Sequence, residues 1–359
     1  MNRREFLTTA AASSALGLSQ CGSRSSEHED APPPREDATQ EAGRIDATHI
    51  PRWRGFNLQE LFGWGRKPGP FSEQDFELMA DWGFDFVRLP MSYWNWSDPK
   101  DWLTINDEPL KYIDQALDLG RQYGIHINLN FHRIPGYCVT KADAEPMQLF
   151  NGPKHDRQQA LAAAVHHWKH FAKRYQGVPN ARLSFDLLNE PPYSFTDPEL
   201  TKVLKAQFPA YADLFIAEHE YVDVARALVA GLRQIDPDRL LFSDGTCIGR
   251  RPVHAMLGFG RWDKQRLRTE LIEPWQELEA KGVRVHVGEC GVYNKTPHDV
   301  TLTWMRDVLS LWKEANWGYA LWELRGTFGI LDSNRSDVRY EDFRGHKLDR
   351  RMLELLREF

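Results

Sequence analysis

Cysteine is scarce and unpatterned in this 359-residue chain. Of the four cysteines, Cys21 lies in the N-terminal leader, and Cys138, Cys247 and Cys290 allow at most one disulfide in the rest of the protein. A disulfide framework is therefore excluded as the main support of the fold. None of the three belongs to a Cys-x-x-Cys pair. We expect them to be small buried residues, and we expect no metal and no cofactor.

A strong excess of one charge and long hydrophobic runs are also lacking. The formal net charge is -6, and this mild acidity argues against nucleic acid or anionic membranes as partners. Residues 1–18 have Arg3-Arg4 followed by a modest run of Ala, Ser and Leu, which is too short to span a membrane. This start resembles a twin-arginine export signal. Residues 18–21 resemble a lipoprotein cleavage box, so Cys21 is a candidate lipid anchor, with cleavage without an anchor as the alternative.

Composition divides the chain into three parts. Residues 1–21 form the predicted signal, and residues 22–50 are polar and proline-rich without apolar periodicity, which indicates a disordered spacer. Residues 51–359 are long enough for one large barrel or two small domains, and we interpret them as a single domain. The expected product is an exported monomer in the periplasm, outside the cell, or lipid-anchored at the envelope.

From residue 52 onward, short apolar segments alternate with helical patterns, which indicates βαβ units and a parallel sheet. Strands are predicted at 53–58, 84–90, 125–132, 182–190, 240–245, 283–289 and 317–324. The strand at 182–190 ends at Glu190, and the strand at 283–289 ends at Glu289. For one such carboxylate the ordinary interpretation is a solvated loop residue, but two of them at two strand ends match the working pair of a glycosidase.

Six short motifs lie in one order along the chain. They are Arg54-Gly55-Phe56-Asn57, Val87-Arg88-Leu89-Pro90, the segment 131–136 (FHRIPG), Asn189-Glu190-Pro191, the strand ending at Glu289, and Ala320-Leu321-Trp322. Together they resemble glycoside hydrolase family 5, the cellulase family, from about residue 52 to the C-terminus. The resemblance implies a (β/α)8 TIM barrel and a retaining β-glycosidase.

The resemblance also implies roles for particular residues. Glu190 would be the acid/base and Glu289 the nucleophile, whose charge would keep Glu190 protonated until the covalent intermediate forms. Arg88 would hold Glu289 ionised and oriented. His132 would contact a substrate hydroxyl, Asn189 would bind the sugar 2-hydroxyl, and Trp322 would form the floor beneath the sugar. For each of these, packing or capping is the alternative interpretation.

The sixth barrel strand is the part of the family pattern that the sequence lacks. Between residues 245 and 283 there is little room for it once the helical segment 261–280 is assigned, so we expect this strand to be missing or shortened to about residues 254–259. The family's His-x-Tyr motif at its end is absent. Tyr293 is predicted to compensate in part by hydrogen-bonding a carboxylate. Strand alternation places His286 and Cys290 on the opposite face from Glu289, against helices.

These observations predict a retaining glycoside hydrolase that cleaves β-linked polysaccharide or oligosaccharide, such as β-glucan or β-mannan. Two alternatives remain at this point. One is a carbohydrate-binding barrel that has lost turnover with its sixth strand, and the other is a transglycosylase, which shares the covalent intermediate and passes the sugar to another sugar.

Overall fold

The computed structural model describes residues 45–63, 67–139, 145–195, 198–207, 215–245 and 262–359. The predicted signal at 1–21, most of the predicted spacer at 22–50, Cys247 and the candidate sixth strand at 254–259 lie outside these residues. At the end of the spacer range, Ile45 and Ile50 pack against Trp53 and its neighbours. Contacts with the folded domain therefore already begin at residue 45.

Eleven strands occur in the described residues. They are β1 (Arg54–Asn57), β2 (Phe86–Ser92), β3 (His126–Arg133), β4 (Leu183–Asp186), β5 (Tyr193–Phe195), β6 (Phe215–Ala217), β7 (Leu241–Phe242), β8 (His286–Cys290), β9 (Gly318–Leu321), β10 (Glu341–Phe343) and β11 (His346–Leu348). Seven of them form one parallel sheet in the order β7-β4-β3-β2-β1-β9-β8. This is the order of strands around a (β/α)8 barrel. All seven strands predicted from the sequence are present, but β4 ends at Asp186 and not at Glu190, and β7 covers only Leu241–Phe242 of the predicted 240–245.

Nine α-helices occur in the same part of the chain. They are α1 (Glu73–Asp81), α2 (Lys111–Tyr123), α3 (Lys154–Arg174), α4 (Pro198–Gln207), α5 (Glu218–Arg233), α6 (Lys264–Leu267), α7 (Glu273–Glu279), α8 (His298–Glu314) and α9 (Arg350–Glu358). A π-helical turn at Arg268–Ile272 joins α6 to α7, and Pro274 lies in the first turn of α7, as expected of a proline that starts a new segment. No helix that the structure describes is long and apolar enough to cross a bilayer.

The third strand shows how this sheet distributes its side chains. In β3, His126, Asn128 and other polar residues alternate with Ile127, Leu129 and Phe131, which belong to the main hydrophobic core. The ring of Phe131 stacks on buried Trp168 of α3 with centroids 4.1 Å apart. The apolar face of the strand therefore points outward to the helices, and the polar face lines the barrel interior. Truncating a core aromatic such as Trp168 typically costs about 3–5 kcal/mol.

A layer of rings fills the interior at the amino-terminal ends of the strands. Trp53 stacks on His126 with centroids 3.8 Å apart, and Phe86 lies 4.4 Å from the ring of His286. Burial lowers the pKa of both His126 and His286 to about 3, so both imidazoles are neutral at physiological pH. This layer closes the bottom of the barrel, and the opposite end remains available for a site.

The interval between β7 and β8 corresponds to the sixth barrel position. No described strand pairs with both, and residues 246–261 lie outside the described chain. Inside the barrel, Phe242 of β7 contacts His286 of β8 edge-on, with ring centroids 5.7 Å apart. On the helical side, Trp275 of α7 approaches Gly245 so closely that a Cβ there would lie 2.3 Å from the indole. Side-chain packing therefore spans this interval on both sides.

Two small additions had not been expected as strands. β5 and β6 form a two-stranded parallel sheet that brackets α4 in the region after β4. β10 and β11 form an antiparallel hairpin whose turn residues, Arg344 and Gly345, both have positive φ, as a tight hairpin turn requires.

Candidate active site

Polar and aromatic side chains collect at the carboxyl-terminal ends of the main-sheet strands. Because the strands are parallel, these ends lie on one face of the barrel, where enzymes of this architecture place their active sites. Six of the predicted site residues lie in these strands or in the loops that follow them: Arg88, His132, Asn189, Glu190, Glu289 and Trp322.

Arg88 is the hub of this site, and its side chain is almost completely buried. Its Nε donates to Asp186 Oδ2 at 2.8 Å, and its Nη2 donates to Asn189 Oδ1 at 2.7 Å. Its Nη1 donates to Asn57 Oδ1 at 3.2 Å and to the Glu289 carboxylate. Burial alone would lower the pKa of Arg88, but the charges of Asp186 and Glu289 outweigh it and raise the pKa. Glu289 is therefore bound to a permanent cation.

A β-bulge in β8 turns Glu289 toward Arg88. The pairing of β8 with β9 shifts register between Val287 and Cys290. As a result His286 and Glu289, three residues apart, both face the barrel interior, where His286 contacts Phe86 and Glu289 contacts Arg88. The prediction that His286 lies on the opposite face, against helices, is wrong because the extra residue of a bulge reverses the alternation. Cys290 does pack with the outer core, on the other face.

The amide of Asn189 fixes the tautomer of His132. Because Asn189 Oδ1 accepts from Arg88, its Nδ2 is the atom that faces His132 Nε2 at 3.2 Å and donates to it. The imidazole proton is then on Nδ1, which lies 3.2 Å from Asn130 Oδ1 and 3.7 Å from Glu289 Oε1. Burial, reinforced by the charge of Arg88, lowers the pKa of His132 well below its usual value. His132 is thus neutral, its Nδ1–H donates to Asn130, and its ring lies beside Glu289.

Glu190 follows Asn189 in an unusual backbone conformation. Its φ is 44°, in the left-handed region that non-glycine residues rarely adopt. Its backbone N–H donates to Asp244 Oδ2 at 2.7 Å, and its carbonyl oxygen accepts from the Tyr137 hydroxyl at 2.6 Å. One buried guanidinium therefore contacts both Glu289 and the residue that precedes Glu190, which joins the two predicted catalytic carboxylates to a common support.

An aromatic wall lies beside these polar groups. The half-buried ring of Trp322 stacks on His132 with centroids 5.3 Å apart, and Phe62 meets both rings edge-on. Tyr293 packs its ring against Phe328, 5.5 Å away. Within the described residues the Tyr293 hydroxyl makes no hydrogen bond to Glu289, so its contribution to carboxylate positioning stays a prediction.

One further aromatic ring is exposed on the same face. Trp94, in the turn after β2, is 38% exposed, and its ring covers the guanidinium of Arg133 at 4.0 Å. Arg133 is ion-paired with buried Glu145, which also accepts from the Tyr93 hydroxyl at 2.6 Å. This support holds an exposed indole face in a fixed orientation. By contrast Trp96 is buried in the core.

A cavity of about 320 Å³ opens beside the aromatic wall. Its lining consists of Asn57, Leu58, Gln59, Glu60, Lys67, Gly69, Glu323 and Arg325. Asn57 connects it to the hub, since its Nδ2 donates to the carbonyl oxygen of Gly288 at 3.0 Å and its Oδ1 accepts from Arg88. Among the described residues, no three His, Cys, Asp or Glu side chains are grouped as metal ligands.

Three polar residues of the site were missed by sequence reasoning: Asn57, Asp186 and Asp244. Asn57 is the last residue of β1 and lies inside the RGFN motif at 54–57, from which the sequence analysis assigned no role to a single residue. Asp186 interrupts the apolar segment 183–188, and a charged residue inside such a strand is a signal that could have been used. Asp244 follows β7 in a sequence with no distinguishing pattern, and only the contact with Glu190 reveals it.

Comparison with known proteins identifies the family to which this chain belongs. A model described as Cellulase (glycosyl hydrolase family 5) matches residues 44–255, which is more than half of the chain. The chain belongs to glycoside hydrolase family 5. It is therefore a glycosidase that hydrolyses O-glycosyl compounds, and its fold is the (β/α)8 barrel, as the motifs predicted.

Individual relatives agree with this family. Endoglucanase C of Acetivibrio thermocellus is 24% identical over 314 residues, which cover 75% of this chain and 89% of the relative. A solved structure described as a glycoside hydrolase is 35% identical, covers 86% of this chain and 99% of its own, and superposes with a TM-score of 0.73. An endoglucanase of Thermotoga maritima superposes with a TM-score of 0.62 at 17% identity, covering 87% and 100%, and shows the fold alone.

Proposed function

We propose that this family 5 glycosidase cleaves β-linked glucan with retention of anomeric configuration, using Glu289 as nucleophile and Glu190 as acid/base. The contact that carries the proposal is the bond from buried Arg88 to Glu289, because a charge-assisted bond to a fixed guanidinium orients this carboxylate for attack on carbon. Endoglucanase C, whose name refers to glucan, covers most of this chain, and this favours β-glucan over β-mannan.

The chemistry proceeds in two displacements. In the first, Glu190 gives its proton to the glycosidic oxygen, the bond between that oxygen and the anomeric carbon breaks, and a Glu289 oxygen bonds to the carbon. In the second, ionised Glu190 takes a proton from water, whose oxygen attacks the anomeric carbon and releases Glu289. The neutral His132 ring beside Glu289 and the Asn189 amide are proposed to bind sugar hydroxyls during both steps.

Trp322 and Trp94 support a substrate longer than one sugar. Trp322 stacks on His132, which lies beside Glu289, and is proposed to stack beneath the sugar at the bond being cleaved. Trp94 presents an exposed ring on the Arg133 support and is proposed as an outer subsite. Two separate aromatic surfaces suit a polysaccharide or oligosaccharide chain.

The first experiment compares wild type with Glu190→Ala on aryl β-cellobiosides, β-glucosides and β-mannosides. Wild type is expected to turn over at least one cellobioside. Glu190→Ala is expected to lose about 10²–10⁴-fold on substrates with poor leaving groups, because general acid catalysis is worth about that much. Added azide should restore the second step in this variant and yield a β-glycosyl azide.

Each contrary outcome points to another function. No turnover of any substrate by a folded wild type that still binds cello-oligosaccharide would make the barrel a carbohydrate-binding protein. Products longer than the substrate, in preference to hydrolysis, would make it a transglycosylase. Turnover of mannosides alone would replace β-glucan by β-mannan as the substrate.

Export and anchoring are proposed from the sequence, since residues 1–44 lie outside the described chain. The paired Arg3-Arg4 is proposed to direct export, and Cys21 to carry a lipid at the cell envelope. Fractionation of cells that express wild type or Cys21→Ser tests the anchor. Equal membrane association of the two proteins would contradict it.

A further inference from the structure

The backbone of Glu190 is held at its N–H and at its carbonyl oxygen by residues that follow two other strands. Asp244, after β7, accepts the backbone N–H at 2.7 Å, and Tyr137, after β3, donates to the carbonyl oxygen at 2.6 Å. Asp244 is itself placed by Tyr221 of α5, whose hydroxyl donates to the Asp244 carbonyl oxygen at 2.7 Å. Two loops therefore contact the backbone of Glu190, and α5 supports one of them.

These hydrogen bonds hold Glu190 in a backbone conformation that its local sequence disfavours. A non-glycine residue in the left-handed region costs roughly 1–3 kcal/mol and persists only where its surroundings impose it. Glu190 also precedes Pro191, and the residue before a proline prefers an extended conformation. Without the two hydrogen bonds the backbone would favour an extended φ over the observed 44°. Because φ sets the direction of the Cα–Cβ bond, such a change would redirect the Glu190 carboxyl.

We infer that Asp244 is a positioning residue for the acid/base: by binding the Glu190 N–H it fixes the backbone conformation that directs the Glu190 carboxyl at the glycosidic oxygen. The inference rests on the proposed role of Glu190. Burial, together with the nearby Asp186 carboxylate, raises the pKa of Asp244 above its usual range. A neutral Asp244 retains a carbonyl oxygen that accepts the N–H, so the positioning bond does not require a charge.

Misdirection of the Glu190 carboxyl should make kcat/KM depend more strongly on the leaving group, whereas a loosened fold should lower kcat/KM equally for all substrates. Protonation matters most when the leaving group is a poor one, such as a sugar alcohol, and least when it leaves without help, such as 2,4-dinitrophenolate. The value of kcat/KM reports the first displacement. Loss of positioning should therefore lower kcat/KM on cellotriose strongly and on 2,4-dinitrophenyl β-cellobioside weakly.

The experiment measures kcat/KM on both substrates for wild type, Asp244→Ala, Asp244→Asn and Glu190→Ala. Exposed Asp223 on α5 supplies the control Asp223→Ala. Asp244→Ala is expected to lose about 30-fold or more on cellotriose and less than about 3-fold on the dinitrophenyl substrate. Asp244→Asn, whose amide oxygen accepts the same N–H, should recover most of the loss. Circular dichroism and thermal midpoints establish that each variant is folded.

The outcomes separate this inference from the proposed function. Equal losses on the two substrates for folded Asp244→Ala, or no loss on either, would overturn the positioning role. A Glu190→Ala variant without leaving-group dependence would overturn the acid/base assignment itself. If Asp244→Ala does not fold, Tyr137→Phe, which removes the donor to the Glu190 carbonyl, replaces it in the comparison. The same selective loss would support the positioning of Glu190 by these two backbone hydrogen bonds, and equal losses would contradict it.

Discussion

Replacing Glu289 with alanine should lower kcat on an aryl β-glycoside by about 10⁴-fold or more, as the loss of a catalytic nucleophile does. That corresponds to about 5 kcal/mol of lost transition-state stabilisation. The reason is geometric: the β8 bulge turns Glu289 onto Arg88, and of the two carboxylates that bind this guanidinium in the described residues, Asp186 is buried and Glu289 is partly exposed. Azide should enter the emptied position and give an α-glycosyl azide.

The protein should remain folded in this variant, which makes the kinetic loss interpretable. After removal of Glu289, Arg88 keeps its bonds to Asp186, Asn57 and Asn189. Exposed Glu354 on α9 provides the control Glu354→Ala, which should match wild type in kcat and thermal midpoint. A Glu289→Ala protein within tenfold of wild type in kcat would show that another group is the nucleophile.

Replacing Arg88 with methionine should produce the largest loss of stability. The substitution leaves Asp186 buried without its cation, and the Asp186 Oδ1 atom already lacks a hydrogen-bond partner. Removing one member of a buried ion pair typically costs about 3–5 kcal/mol, so the free energy of unfolding in urea should fall by about that amount. Turnover by the folded fraction should fall as well, because Glu289 and Asn189 lose their common support.

A second buried arginine, Arg239, provides a control variant in which stability should fall without a change in catalysis. Arg239 binds Asp236 and the carbonyl oxygens of Leu183 and Tyr175 at the amino-terminal end of the barrel. Arg239→Met should also lower the free energy of unfolding but leave kcat of the folded protein unchanged. If Arg88→Met kept wild-type kcat, or unfolded with a free energy within 1 kcal/mol of wild type, the hub role of Arg88 would be wrong.

The positions of the seven strands, though not the exact ends of β4 and β7, were predictable from the sequence because the apolar residues that pack outward mark each strand. Because the strands are parallel, their carboxyl-terminal halves lie toward the same end of the barrel, and Arg88, His132 and Glu289 meet there. The strand β3 could have been predicted in more detail, since polar residues alternate strictly with Ile127, Leu129 and Phe131. In a helix-covered barrel that alternation indicates a polar interior, which is the reverse of the usual surface strand.

The β8 bulge and the Asp244 contact could not be predicted in the same way. By alternation alone, HVGEC appears as a regular strand that would place His286 opposite Glu289, and Gly288 inside it is only a weak signal of a bulge. Asp244 meets Glu190 only through the packing of two loops, 54 residues apart in sequence. Long-range contacts of this kind depend on the complete fold, whereas a hairpin turn such as Arg344-Gly345 leaves a local signal in its glycine.

The configuration of the first product distinguishes retention through a covalent glycosyl-enzyme from direct displacement by water. Proton NMR during the first minutes of hydrolysis of a β-cellobioside distinguishes the two anomers of the released sugar before they equilibrate. The arrangement of Glu289 on Arg88 beside Asn189-Glu190 predicts that the β-anomer appears first and the α-anomer only later, by mutarotation. An α-anomer that appears first would mean inversion, with water as the direct nucleophile, and would rule out a covalent glycosyl-enzyme on Glu289.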